Sequence, residues 1–249
     1  MLRSAFTEAH FNLGHAQFEV GNPTNAVVHY QHAIDSNPEF MQAYYNLGHI
    51  LLVSGKPHQA VDQLQHAAGL APSSADVRYL LANAFMLDQQ IDLALEQYVE
   101  VIALRPEQPR YRYNFGVALS HKGQLHTAAT EFRAAIQLNH NYVAARNGLA
   151  HALIGLPERK LKQAQEALDT IELAANLTDH ENLPVLQTLA SAHAAVGDFQ
   201  QAVSIAERAM KLAEIQSATP ATMAQIRKQC EQYLAQIGTP QVDVNSTPQ

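Results

Sequence analysis

Nothing constrains this chain more than a spacing of 34 residues. Leu13-Gly14, Leu47-Gly48, Leu81-Ala82 and Phe115-Gly116 stand 34 apart, as do Ala26, Ala60, Ala94 and Ala128. Tyr30, Leu64, Tyr98 and Phe132 keep the same step, and so do Pro38, Pro72 and Pro106. A fixed period of this length specifies stacked helix-turn-helix units that share one continuous core. It favours a binding scaffold over a globule with a catalytic cleft.

Each recurring residue has a physical reason. Gly14 and its equivalents let two helices approach closely, where a larger side chain would push the backbones apart. Gly21, Gly55 and Gly123 sit where one helix stops and a positive φ is useful. Pro38, Pro72 and Pro106 stop the second helix and favour an extended residue before them.

With the first unit placed at Thr7, the next three start at Met41, Ala75 and Pro109. A fifth starts near Val143 and leaves the period through Gly155, Leu156, Pro157, Glu158, Arg159 and Lys160. A sixth starts near Leu183, 40 residues after Val143, so six residues are extra, and most are expected in the turn after Gly155. The repeats are expected to fill residues 5–215 as one solenoid. A further helix over 219–237, with Ile226, Tyr233, Leu234 and Ile237 as its main apolar residues, is expected to cover the last apolar face. The tail 238–249 has two prolines and no aromatic residue, and is expected to be disordered.

Charge argues against several partner classes. The net charge is −7, and charged residues make up only 16% of the chain. Arg105, Arg110 and Arg112, and then Arg159, Lys160 and Lys162, are the local basic groups. Neither group recurs from unit to unit, so neither builds the basic stripe that nucleic acid or an anionic membrane surface needs. Both are read as solvated faces or turns. The single cysteine, Cys230, allows no intramolecular disulfide and suits a reducing compartment. No run of 18 apolar residues predicts a membrane span, and no clear signal peptide opens the chain, so the expected location is cytoplasmic. The abrupt start inside helical periodicity also suits a fragment of a longer chain.

Catalytic chemistry finds no residues to carry it. His29 and His32 are three apart and could share a helix face, but two ligands are too few for zinc. Glycine pairs seven apart, such as Gly14 and Gly21, are explained by the repeat and offer no phosphate loop. No Ser or Cys has a recognisable base and orienting acid. No catalytic residue, metal or cofactor is therefore expected.

The signposts resemble the tetratricopeptide repeat (TPR) family, over about Ala5 to Glu214. The resemblance implies an all-α, right-handed solenoid of about six helix-turn-helix repeats closed by a C-terminal capping helix. The first helix of each repeat (helix A) would line a concave face, where family members usually bind peptides or proteins. It also implies that positions 2, 5, 6, 9, 12 and 13 of each repeat tend to face that groove.

Position 5 carries Phe11, Tyr45, Tyr79 and Tyr113, and position 6 carries Asn12, Asn46 and Asn114, with Leu80 breaking the run. Position 9 carries His15, His49, Asn83 and His151, with Val117 between. An asparagine offers donors and an acceptor, so a ladder of them can grip an extended peptide backbone. This pattern is similar to the asparagine ladders of O-linked N-acetylglucosamine transferases. Alternatively, asparagines bond neighbouring helices and tyrosines pack between units. A second family mode, a basic clamp on a terminal carboxylate, is not expected, because Asp76 and Leu80 stand where it needs cations.

The expected function is a non-enzymatic scaffold that binds an extended peptide or partner protein through Phe11, Asn12, His15, Tyr45, Asn46, His49, Tyr79, Asn83, Tyr113 and Asn114. The alternatives are a substrate-presenting fragment or subunit of a glycosyltransferase-type enzyme, and self-association through an uncapped N-terminal face.

Overall fold

A computed structural model describes residues 2–237, and the side chains of residues 5–237. Within that range the chain is helical throughout, with thirteen helices and no strand. They pair as α1 (Leu2–Glu19) with α2 (Pro23–Ser36), α3 (Met41–Val53) with α4 (Pro57–Leu70), and α5 (Ala75–Leu87) with α6 (Ile91–Leu104). The fourth repeat supplies α7 (Pro109–His121) and α8 (Leu125–Leu138), and the fifth α9 (Val143–Ile154) and α10 (Leu161–Asn176). The sixth gives α11 (Leu183–Ala195) and α12 (Phe199–Ile215), and α13 (Pro220–Ile237) follows. The chain divides into two compact units, Met1–Lys122 and Gly123–Gln249. The expected tail 238–249 lies outside the described residues.

In the first unit each helix packs on the next in sequence from α1 to α7. The periodic alanines Ala26, Ala60 and Ala94 are fully buried, beside Tyr30, Leu64 and Tyr98 from the second helices. Leu47 and Leu81 are buried, but Leu13 at the same position is 47% exposed. The difference follows from stacking, because α3 packs on both α2 and α4 while α1 packs chiefly on α2.

Local chemistry sets the helix boundaries. The Asn22 side chain accepts the Asn25 backbone N–H and Pro23 opens α2, where its missing N–H costs nothing. Ser74 and Asn182 cap α5 and α11 in the same way. The turns inside the first three repeats each end one helix with a left-handed residue. Gly55 takes that role in the second repeat with φ 71°. Its equivalent in the third repeat is Gln89, held at φ 62°.

In the second unit the six extra residues are spread out rather than gathered in one turn. Residues 155–160 form a turn of six, three more than the three-residue turn at 54–56. The helix α10 is two residues longer than α8, and α9 is one shorter than α7. The link 177–182 adds two more over its counterpart 139–142. Only half of the insertion therefore lies where it was expected, because helix extension and the following link take up the rest. Gly148, at position 6 of the fifth repeat, belongs to no periodic set, yet a Cβ there would fall 2.8 Å from the Phe132 ring.

The helix α13 packs on α12; its Cys230 is buried with Ala190 and Ala206, and its Ile226 is buried as well. The Tyr233 hydroxyl shares a 3.1 Å hydrogen bond with Ser191 Oγ. Leu234 and Ile237, expected among its core residues, are 50% and 45% exposed. Leu234 falls off the Ile226–Cys230–Tyr233 face, and Ile237 stands at the helix end.

Candidate functional site

The first helices of the first unit, α1, α3, α5 and α7, bring several of the expected groove residues together. Phe11 on α1 and Tyr45 and Asn46 on α3 line a cavity of about 300 Å³ with Met41, Ser74, Asp76 and Val77. The Phe11 ring meets Tyr30 at 5.7 Å and stands edge-on to Phe40 at 5.2 Å, so its own position is fixed by packing. Tyr45 is half-buried, and burial, with the Asp76 carboxylate adding to it, pushes its hydroxyl pKa up.

A charged cluster stands at the rim of this cavity. Asp76 pairs with Arg105 at 3.3 Å and Arg110 at 3.6 Å. The Arg110 guanidinium lies over the rings of Tyr79 at 5.0 Å and Tyr111 at 4.9 Å, and it donates to the Tyr111 hydroxyl at 3.0 Å. Arg105 and Arg110 are exposed, as the solvated faces or turns expected from sequence require, but both are also tied to Asp76. Two cations against one carboxylate leave this cluster net positive beside the cavity. Arg110 and Tyr111 each occur once in the repeat pattern, so periodicity gave no signal for them. Arg159 and Lys160 lie in an exposed turn.

The asparagine ladder is largely occupied. Asn46 hydrogen-bonds the Tyr30 hydroxyl. Asn83 Oδ1 accepts from the Tyr98 hydroxyl at 2.7 Å, and Asn114 donates to the Tyr79 hydroxyl. Burial pushes the pKa of Tyr30 and Tyr98 upward, as a tyrosine held neutral between helices requires. The Tyr79 ring also lies tilted against Tyr111 at 4.9 Å and Tyr98 at 6.4 Å. Tyr113 is half-buried, and its hydroxyl pKa is raised by burial and by Tyr79. Asn12, His15 and His49 are exposed, and His49 stands edge-on to Phe18 at 5.9 Å.

His29 and His32 gain an unexpected neighbour. His10 Nδ1 on α1 lies 3.1 Å from His29 Nδ1, with its ring centroid 5.0 Å from that of His32. These imidazoles form a crowded surface seam. Among the described residues, no group of three or more His, Cys, Asp or Glu is arranged to hold a metal ion. None of the described helices is long and apolar enough to cross a membrane.

Comparison with known proteins agrees with this architecture. Family models for the tetratricopeptide repeat match residues 7–40, 29–62, 48–109, 79–143 and 185–217. A tetratricopeptide repeat protein from Parabacteroides merdae superposes with a TM-score of 0.76 at 16% identity, over 93% of this chain and 88% of that one. PilF of Pseudomonas aeruginosa gives a TM-score of 0.70 at 18% identity, over 94% and 99% of the two chains. YrrB, described as a TPR protein with an unusual peptide-binding site, gives 0.61 at 18% identity, over 80% and 97%. No curated protein sequence matches the chain.

Proposed function

The chain belongs to the tetratricopeptide repeat family, and on that premise we propose that it is a non-enzymatic scaffold that binds an extended peptide or partner protein. The binding surface is the groove of α1, α3, α5 and α7. One observation carries this reading: Phe11 and Tyr45, from equivalent positions of two repeats, line one open cavity with Asn46 beside Asp76. Aromatic walls suit an apolar side chain of the partner, and aromatic anchors dominate binding energy at interfaces. The net positive cluster beside the cavity favours partner segments without cations next to that anchor. YrrB, a relative in fold, is named for a peptide-binding site, which supports the same class of ligand. A cytoplasmic location is part of this proposal and rests on the single cysteine.

A reading as the substrate-presenting part of a glycosyltransferase-type enzyme leans on a free asparagine ladder. Asn46, Asn83 and Asn114 already bond tyrosines, so the aromatic cavity carries the proposal instead. Self-association has one observation in its favour. Phe6 and Leu13 on α1 and Val20 in the turn just after it stand seven residues apart, and they are 53%, 47% and 75% exposed. Sedimentation over a wide concentration range, with Leu13→Glu as control, separates the two. A monomer throughout removes self-association.

Selection of peptides from a random displayed library against the full chain tests the main reading. Enriched peptides are expected to share an apolar or aromatic residue. They should bind Tyr45→Ala about tenfold or more weakly, the loss typical of an interface tyrosine. Helical content should not change. Peptides that bind the variant as well as the parent would place the site elsewhere.

A further inference from the structure

The groove chemistry changes in the second unit, and the change creates a second pocket. Where the first unit carries aromatic rings at position 5, α9 carries Asn147 and α11 carries Gln187. One turn on, at position 9, stand His151 and Ser191. The helix α13 adds Gln225 and Gln229, also four apart, so it walls the pocket as a further first helix would. Together these side chains line a cavity of about 130 Å³.

Most of this lining is uncommitted. Asn147 Oδ1 is buried and has no hydrogen-bond partner among the described residues. A buried acceptor left without a donor is costly, and such groups are rare unless something meets them. Ser191, in contrast, is satisfied, since its hydroxyl donates to Gln187 O at 3.0 Å and pairs with Tyr233. No carboxylate, lysine or arginine lines the cavity. His151 is the one ionisable side chain in the lining, so with its imidazole neutral a charged ligand group would lose water there without gaining a counter-ion. A neutral group that both donates and accepts is matched instead, because each lining amide offers the same pair.

We propose that this pocket binds a neutral amide of the partner, with a donor N–H directed at Asn147 Oδ1 and the amides of Gln187, Gln225 and Gln229 completing the recognition. The amide comes from a glutamine or asparagine side chain or from the peptide main chain. In this role α13 is part of the binding surface and not only a cover for the last apolar face. The inference rests on the scaffold reading above, but it concerns a different unit and different residues.

Side-chain amide signals in ¹⁵N-labelled full-length protein provide the test. The probes are three capped pentapeptides: pentaglycine, the same peptide with a central glutamine, and the same with a central glutamate. The glutamine peptide is expected to shift the signals of Asn147, Gln187, Gln225 and Gln229, and the glutamate peptide to shift them far less. If pentaglycine acts as strongly as the glutamine peptide, the main chain is the source of the amide; if weaker, the side chain is. Asn147→Ala should weaken the response about threefold to tenfold, as loss of one neutral hydrogen bond does, without lowering the thermal midpoint. Gln225 is exposed, and Gln225→Ala should weaken binding while leaving the fold intact. No shift with any neutral peptide, a glutamate shift that equals the glutamine shift and exceeds that of pentaglycine, or a clear loss of stability in Asn147→Ala overturns the proposal. Tyr45→Ala should leave these shifts unchanged, so failure here is distinct from failure of the aromatic cavity.

Discussion

Gly48 lies so close to Leu64 that a Cβ on the glycine would fall 2.6 Å from Leu64 Cγ. Gly14 stands in the same relation to Tyr30, at 2.9 Å from its ring. The two helices of a hairpin therefore touch through backbone on one side and a large side chain on the other. Gly48→Ala is expected to destabilise by about 1–3 kcal/mol, the usual cost of overpacking a tight core. In a double-mutant cycle, Leu64→Ala should recover part of that loss, because the two changes share one contact. Urea unfolding of the four proteins measures the coupling, and strict additivity would contradict direct contact as the cause.

Gln89 offers a prediction of opposite sign. It holds φ at 62°, where the second repeat has Gly55 at 71°. A side chain in the left-handed region is strained by about 1–2 kcal/mol, and glycine returns part of that as greater freedom in the unfolded chain. Gln89→Gly should stabilise the protein by about 0.5–1 kcal/mol, whereas Gly55→Ala should destabilise it. Thermal unfolding of both variants checks the pair, and a destabilised Gln89→Gly would show that the side chain makes a compensating contact.

Residues that every repeat needs for the same reason were legible from the sequence. Ala26, Ala60 and Ala94 mark fully buried helix contacts, and Gly21, Gly55 and Gly123 adopt positive φ. What periodicity could not separate is a groove residue from a residue between helices when both are the same type. Asn46 lines the cavity and yet bonds Tyr30, while Asn83 serves Tyr98 on the other helix of its own repeat. Residues that occur once, such as Arg110, Tyr111 and Gly148, carry no periodic signal. Their roles arise from partners distant in sequence, as when Arg110 reaches Asp76 and Tyr79.

The histidine seam between α1 and α2 makes stability depend on pH. Burial, then the neighbouring His32 and His29, hold the His10 pKa below its ordinary value of 6.5. Just below that value the unfolded chain binds more protons than the folded one, so stability rises with pH through the window. The contribution is complete above the ordinary value and is lost as pH falls through the lowered one. Hydrogen-exchange protection of α1 should therefore be weaker at about pH 5.5 than at about pH 7.5. His10→Gln should flatten the difference. Equal protection at both pH values in the parent protein would mean that the three rings do not share this charge penalty.

Tyr45 and Tyr79 occupy the same position in successive repeats but should respond differently to truncation. Tyr79 meets Tyr98 and Tyr111, lies under the Arg110 guanidinium and accepts a hydrogen bond from Asn114. Tyr79→Ala would remove all of these at once and is expected to cost about 2–4 kcal/mol, near the range for core aromatics. Tyr45 faces the open cavity, so Tyr45→Ala should cost only about 1–2 kcal/mol for its partial burial. A triple change of Tyr45, Tyr79 and Tyr113 would therefore confound binding with folding, and Tyr45 alone is the informative probe. Urea midpoints for the two single variants test the ordering. If Tyr45→Ala proves the more destabilising, the ring at position 5 of the second repeat is structural, and the aromatic cavity loses its anchor.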